Sequence, residues 1–326
     1  MPEKIRWGLV GLGKISDTFA RDLALVPDAE LTAVGSRNLD KARAFQNEHS
    51  SRYSFGSYEE LFQCPEVDVV YIGTPHTFHA ELAIQAMQHG KHVLCEKPMG
   101  VNGDQTTRMI NVAREQQVFL MEALWSRFIP AIDTAYDLIQ SGTIGSIRYL
   151  HADFAFYALD REEEGRLLNP ALAGGSLLDI GIYPIFLSYL LLGVPEGIQC
   201  ISQFHKTGAE IQTAMVFAYT EAQALLFSGL TCNSEMKAEI AGTKGSIHLH
   251  PRWHESPGYT LELNGEIETV TVPKQGKGYV HEIQHVHHCL RNGKTQSPLW
   301  SHKHSQELVN IMDNVRLESG IRFPFE

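Results

Sequence analysis

Cysteine is scarce in this chain of 326 residues: Cys64, Cys95, Cys200, Cys232 and Cys289 are the only five. None forms a C-x-x-C pair, and the odd count gives no disulfide framework, so a reducing compartment is expected. Positive charge is also in deficit, with 27 Lys and Arg against 38 Asp and Glu and a formal net charge of -11. That balance argues against nucleic-acid and anionic-membrane partners, while leaving room for a local basic pocket that takes a phosphate. Long apolar runs are missing as well. The most apolar helical stretch, 180–192, is interrupted and too short to span a bilayer. Met1-Pro2-Glu3-Lys4 has no signal-peptide anatomy, so a cytoplasmic protein is expected. No repeat or low-complexity segment is visible. What remains is ordinary globular material, 43% hydrophobic and 20% charged, in a chain long enough for two domains.

The first hundred residues alternate strand and helix patterns. A buried strand at 5–10 leads into Gly11-Leu12-Gly13-Lys14-Ile15-Ser16 and then a helical run at 17–24. This is a G-x-G-x-x-S form of the dinucleotide fingerprint. The first glycine permits a tight turn, the second admits a pyrophosphate, and a small third residue lets the helix pack on the strand. The phosphates would lie on free N–H groups at the helix start. Gly8 to Lys14 also matches most of a P-loop, but Ile15 stands where Ser or Thr should hold magnesium. The second strand, 31–35, ends in Ser36-Arg37 where an NAD site would place an acid on the ribose 2′-hydroxyl. A hydroxyl and a guanidinium suit a 2′-phosphate, so NADP is favoured, with NAD as the alternative. A strand at 67–72 is broken by Gly73-Thr74-Pro75-His76, and a helix at 78–88 is closed by Gly90.

Cys95-Glu96-Lys97-Pro98 ends the next strand. Pro98 forces the stop, and a lysine there delivers its ammonium to the sheet edge where α/β folds bind ligands. The alternation implies a doubly wound parallel sheet. Near 122 the pattern changes. Pro130 opens a helix to 140, closed by Gly142. Strands then dominate, at 146–157, 198–205, 212–219, 223–231, 236–241, 245–250, 259–263 and 266–272. They predict hairpin-linked antiparallel strands with one face covered and the other in need of a partner. Helices at about 280–291 and 303–318 close this second domain, and the boundary is drawn as 1–122 and 123–326. After the hinge Gly174-Gly175, Asp179 and Tyr183 stand four apart, on one apolar helix face. They read either as a functional pair or as an acid favoured by the helix dipole beside a core tyrosine.

Glu96-Lys97-Pro98, the glycine fingerprint, Thr74-Pro75 and Asp179-x-Gly181-x-Tyr183 together resemble the glucose–fructose oxidoreductase / inositol dehydrogenase / rhizopine catabolism (MocA) family. Met121-Glu122-Ala123-Leu124-Trp125-Ser126-Arg127-Phe128, the run 238–246 and Ser297-Pro298-Leu299-Trp300-Ser301-His302 resemble its dimeric dihydrodiol dehydrogenase and D-xylose dehydrogenase branch. The resemblance implies an α/β protein. Its N-terminal Rossmann domain would be followed by an α+β domain with an open, largely antiparallel sheet that pairs in a homodimer. It further implies cofactor contacts from Thr74, Pro75, His79, Glu96 and Lys97, besides the glycine loop and Ser36-Arg37. Lys97 and Tyr183 would meet over the nicotinamide, with Asp179 as orienter. Trp125 and Phe154 would wall the substrate pocket, joined by Tyr183 itself and Arg148.

The implied chemistry is hydride transfer between a secondary alcohol, on a trans-dihydrodiol or a sugar such as an aldopentose, and the nicotinamide. A tyrosine with a pKa of about 10 is a poor base at neutral pH. A lysine cation about 4 Å away brings it toward the useful range. Two other readings compete. One is a nucleotide-responsive regulator of the same fold, which could keep the glycines and dispense with Lys97 or Tyr183; this chain has both. The other is a zinc hydrolase, from the literal H-E-x-x-H of His281-Glu282-Ile283-Gln284-His285. The resemblance runs through that segment without implying metal. The segment is therefore read as a solvated helix face, and no metal ligands are assigned.

Overall fold

The computed structural model describes residues 4–326; Met1, Pro2 and Glu3, on which the reading of the N-terminus rests, lie outside the described residues. The first sheet has six parallel strands, in the order β3-β2-β1-β4-β5-β6. They are β1 (Ile5–Val10), β2 (Ala29–Gly35), β3 (Tyr53–Phe55), β4 (Val69–Ile72), β5 (His92–Glu96) and β6 (Leu120–Ala123). The connecting helices are α1 (Lys14–Leu23), α2 (Leu39–His49), α3 (Tyr58–Phe62), α4 (His79–Gln88) and α5 (Gly103–Glu115). β4, Val-Val-Tyr-Ile, is buried along its whole length, as expected of a strand covered on both faces. The order reverses between β1 and β4, which opens the crevice where doubly wound sheets bind dinucleotides. The strand expected to end in Lys97 ends at Glu96, leaving Lys97 as the first residue beyond the sheet edge.

The second sheet has eight strands, in the order β14-β13-β12-β11-β7-β10-β9-β8. Their ranges are β7 (Ile147–Ala155), β8 (Gly197–Phe204), β9 (Glu210–Ala218), β10 (Gln223–Gly229), β11 (Ala238–Gly242), β12 (Gly245–Leu249), β13 (Gly258–Leu263) and β14 (Glu266–Thr271). Two antiparallel meanders, β8 to β10 and β11 to β14, are joined by β7, which pairs parallel to β10 and antiparallel to β11. The two pairs made by β7 depart from the expected hairpins: β7–β10 is parallel, and β7–β11 joins strands distant in sequence. α6 (Pro130–Gln140) precedes the sheet, and α7 (Ile182–Leu192) packs on β7 and β10. α8 (Tyr279–Arg291) and α9 (His302–Ser319) follow. β9 alternates buried Thr213, Met215 and Phe217 with exposed Ala214, Val216 and Ala218. Ile201, Val216 and Leu225 leave an apolar outer face, with Ile201 78% exposed.

The chain forms two compact units. The first holds residues 1–125 and 275–306, and the second holds 126–274 and 307–326. α8 therefore belongs with the parallel sheet, whereas a single cut at 122/123 groups it with the second domain. No helix among the described residues is long and apolar enough to cross a membrane.

Candidate active site

In the first unit the glycine loop is closed by the strand beside it. Gly11 has φ +81°, and a β-carbon there would stand 2.6 Å from both Thr74 N and Thr74 Cγ2, so only glycine fits. Gly13 donates its N–H to Gly11 O at 2.7 Å and precedes α1 in extended backbone, with no side chain capping the helix. Leu12 is buried, Lys14 is exposed, and Ile15 is half-buried. Ser16 is wholly buried and its Oγ donates to Gly11 O at 2.8 Å, which is why a small polar residue serves at the third fingerprint position. Thr74 Oγ1 is buried beside this loop without a hydrogen-bond partner.

At the end of β2, Ser36 Oγ accepts from Asn38 N at 3.2 Å, and the Arg37 guanidinium lies 5.6 Å from the Phe78 ring centroid. No acid stands at this strand end. An uncapped helix start, a buried hydroxyl without a partner and a glycine that no β-carbon could replace fit a dinucleotide pyrophosphate. Gly8 lies inside β1, and a β-carbon there would meet Leu61 Cδ2 at 2.9 Å. It is a strand-packing glycine and not part of a P-loop.

Lys97 follows β5 through a fixed corner. Its N–H approaches Glu96 Oε2 at 3.2 Å, and Glu96 Oε1 accepts the Tyr71 phenol at 2.6 Å. Burial, then the Glu96 charge, push Tyr71 well above the usual phenol range, so it remains a donor. His79 is wholly buried and bridges two loops, with Nδ1 2.8 Å from Pro98 O and Nε2 2.8 Å from Thr74 O. Burial pushes His79 down against the pull of those carbonyls, and the Lys97 ammonium adds to the lowering. His79 thus joins the Thr74-Pro75 loop to the Lys97-Pro98 corner; Pro75 itself opens the short 3-10 turn His76–Phe78. Glu122, on β6, accepts from Met99 N at 2.9 Å and Trp300 Nε1 at 3.0 Å. Burial pushes its carboxyl up, while these donors and the Lys97 ammonium pull it back. Trp125 stacks on Tyr279 at 4.8 Å between centroids.

In the second unit, Asp179 lies in a single π-helical turn, Leu177–Gly181, that runs into α7 and Tyr183. A regular helix was expected there. Gly175, at φ +139°, and Glu210 set the start of the turn. Glu210 Oε2 accepts from Leu177 N at 2.8 Å, while Oε1 accepts Ser176 Oγ and Thr213 Oγ1, both at 2.7 Å. Asp179 Oδ1 accepts from Arg166 at 2.7 Å. Tyr183 is packed in a ring cluster, 5.4 Å from Phe154 and 5.3 Å from His254, and Phe154 stacks on His254 at 4.2 Å and 22°. Ser126 Oγ fixes the His254 carbonyl at 2.6 Å.

The structure thus gathers Gly11, Gly13, Thr74, His79, Glu96 and Lys97 in one unit, and Phe154, Asp179 and Tyr183 in the other. Arg148 does not join Phe154. It lies about 20 Å away along β7 by strand geometry and pairs with Glu221 at 2.8 Å. Tyr71, Glu122, Arg166, Glu210, His254 and Tyr279 were not singled out from the sequence as site residues. Glu122 had a readable signal, a lone acid inside an apolar strand; His254 and Arg166 are brought in by long-range contacts that leave no local mark.

The reading of the H-E-x-x-H segment as a solvated face is corrected, because α8 buries Glu282, Ile283, Val286, His287 and Cys289. Its first histidine accepts Gln275 N at 3.1 Å, and His285 Nε2 lies 2.8 Å from Ser297 Oγ. Among the described residues the group of three ligand-type atoms within 4.8 Å of one another is Asp17, Glu48 and His49, of which Asp17 and Glu48 already hold the Arg21 guanidinium.

Residues 5–124 match the family described as "Oxidoreductase family, NAD-binding Rossmann fold", and residues 132–248 match the GFO/IDH/MocA C-terminal domain. Trans-1,2-dihydrobenzene-1,2-diol dehydrogenase of Mus musculus is 35% identical over 333 residues, covering 98% of each chain. The Homo sapiens enzyme of the same name is 35% identical over 331 residues, with the same coverage. Among solved structures, a 3-ketoreductase from Actinomadura kijaniata, in complex with NADP and TDP-benzene, is 26% identical with a TM-score of 0.88, covering 97% of this chain and 98% of that one. Fold and crevice define a nicotinamide-dinucleotide oxidoreductase. The chain belongs to the glucose–fructose oxidoreductase / inositol dehydrogenase / MocA family and is a dehydrogenase acting on hydroxyl carbons.

Proposed function

We propose that the protein is an NADP-dependent dehydrogenase of a trans-dihydrodiol or a sugar hydroxyl such as that of an aldopentose. The observation that carries this reading is Lys97 at the C-terminal edge of the parallel sheet, tied through His79 to the loop that closes the glycine crevice. The 98% coverage of named diol dehydrogenases supports the substrate class. NADP is supported by Arg37 and by the missing acid at the end of β2. When bound, the nicotinamide exchanges hydride with the carbinol carbon.

Tyr183 takes or returns the hydroxyl proton through its phenolic oxygen. Lys97 supplies the cation that stabilises the phenolate. Asp179, braced by Arg166, orients the substrate hydroxyls or the lysine. Phe154 and Trp125 offer ring faces to the apolar side of a diol or sugar ring. The exposed apolar face of the second sheet, with Ile201, Val216 and Leu225, joins two copies in a homodimer. The test is a turnover screen of NADP and NAD against trans-diols and aldoses, followed at the reduced-nicotinamide absorbance. Turnover with NADP on a diol or aldose supports the reading, and failure on the whole panel overturns it.

A further inference from the structure

The H-E-x-x-H segment leaves one group that hydride transfer does not use. Glu282, in the first turn of α8, is wholly excluded from solvent, and neither carboxyl oxygen has a hydrogen-bond partner. An ionised carboxylate is strongly disfavoured in such a place. The titratable groups facing it add to the difficulty: Asp22 from α1, Glu96 from β5 and Tyr71 from β4, with Tyr279 next to Tyr71 from α8 itself. Lys277 N and Tyr279 N donate to the Asp22 carboxyl at 2.9 Å. Glu96 is likewise supplied with donors by Tyr71 and by the Lys97 amide. Of three neighbouring carboxyls, two have donors and the third has none. Burial first, then Glu96 and Asp22, push the Glu282 carboxyl well above the usual range.

We propose that Glu282 is a positioning residue for Lys97, an uncharged acid beside the Tyr71–Glu96 pair that adds no second charge against Glu96 behind the strand end presenting the lysine. Ionising it would set a second negative charge against Glu96 and displace the corner that Glu96 and Tyr71 hold. The lysine's part in this inference rests on the proposed function; the charge state of Glu282 does not.

Glu282→Gln keeps the shape and the neutrality but cannot titrate. Thermal unfolding of wild type and variant from pH 5 to pH 9 reads the charge state. The native carboxyl titrates above its unfolded value. Wild type therefore loses stability relative to the variant as pH rises past about 4.5, by about 2–4 °C of Tm per pH unit until the native value is passed. A Tm difference that stays constant over this range overturns the neutral acid. Should the glutamine variant fail to fold, Glu282→Leu carries the same comparison. Positioning is read from kcat and KM against pH. The alkaline fall in kcat should move to higher pH in the variant, with KM unchanged, and coincident profiles overturn the positioning role. No turnover by either protein overturns the functional reading and the lysine's role with it, while the Tm comparison still decides the charge state.

Discussion

The indole N–H of Trp7 donates to Nε2 of His287 across 3.0 Å in a buried pair. An indole can only donate, so Nε2 presents its lone pair and the ring proton sits on Nδ1, 3.2 Å from Asp28 Oδ2. Protonating the ring would set N–H against N–H. Burial, against the pull of Asp28, also pushes His287 below the ordinary histidine value. Burial lowers His79, His92 and His302 in the same way. Above pH of about 6.5 neither the folded nor the unfolded state binds these protons; below it the unfolded chain binds them first, so stability falls as pH drops toward the native values. Unfolding followed at pH 7 and pH 5 should show a marked acid loss. His287→Gln keeps an acceptor for Trp7 but does not titrate, so the wild-type advantage over it should shrink at pH 5.

Glu210 is a buried acid with three donors at 2.7–2.8 Å, and it starts the π-turn that carries Asp179. Glu210→Ala strands those donors and should lower stability by about 3 kcal/mol. It should also depress kcat through loss of the turn geometry. Denaturant unfolding and steady-state kinetics check both.

Arg37 stands at the end of β2 over Phe78, with no ion-pair partner among the described residues. A charge-assisted contact to a 2′-phosphate is worth about 1.5–3 kcal/mol. Arg37→Ala should therefore weaken NADP binding by roughly 10–100-fold and leave NAD binding nearly unchanged. Titration of both cofactors by nucleotide fluorescence separates the two.

Ile201, 78% exposed on the outer face of the second sheet, should lie in the dimer contact. Ile201→Lys should shift the protein toward monomer in sedimentation velocity, with its thermal midpoint little changed. A wild-type protein that sediments as a monomer at all concentrations would remove the dimer.

Much of this architecture was legible because its signals are local. The glycine loop, the buried strands and the proline stop at Pro98 placed the parallel sheet and its ligand edge. The alternation of 212–219 placed a half-buried strand in the second sheet. Long-range devices were not legible. The return of 275–306 to the first unit depends on Asp22 receiving the amides of Lys277 and Tyr279, a pairing of distant residues that composition does not mark. The π-turn at Leu177–Gly181 follows from Glu210 and from Gly181 lying against Ser228, where a β-carbon would stand 2.9 Å from Oγ. The H-E-x-x-H of α8 reads as a solvated helix face, yet its glutamate is wholly buried, because the strand and helix packed against it are distant in sequence. Arg148 was attributed to the pocket, but its position on β7 sets it near Glu221.

The most direct measurement of the central claim pairs two variants with two readouts. Tyr183→Phe and Lys97→Met are assayed for turnover with NADP and a diol or aldose that the wild type oxidises, and for NADPH binding by fluorescence. Turnover lost by about 10²-fold or more in each, with NADPH still bound by Tyr183→Phe, is the predicted result. Wild-type turnover by either variant would contradict the account.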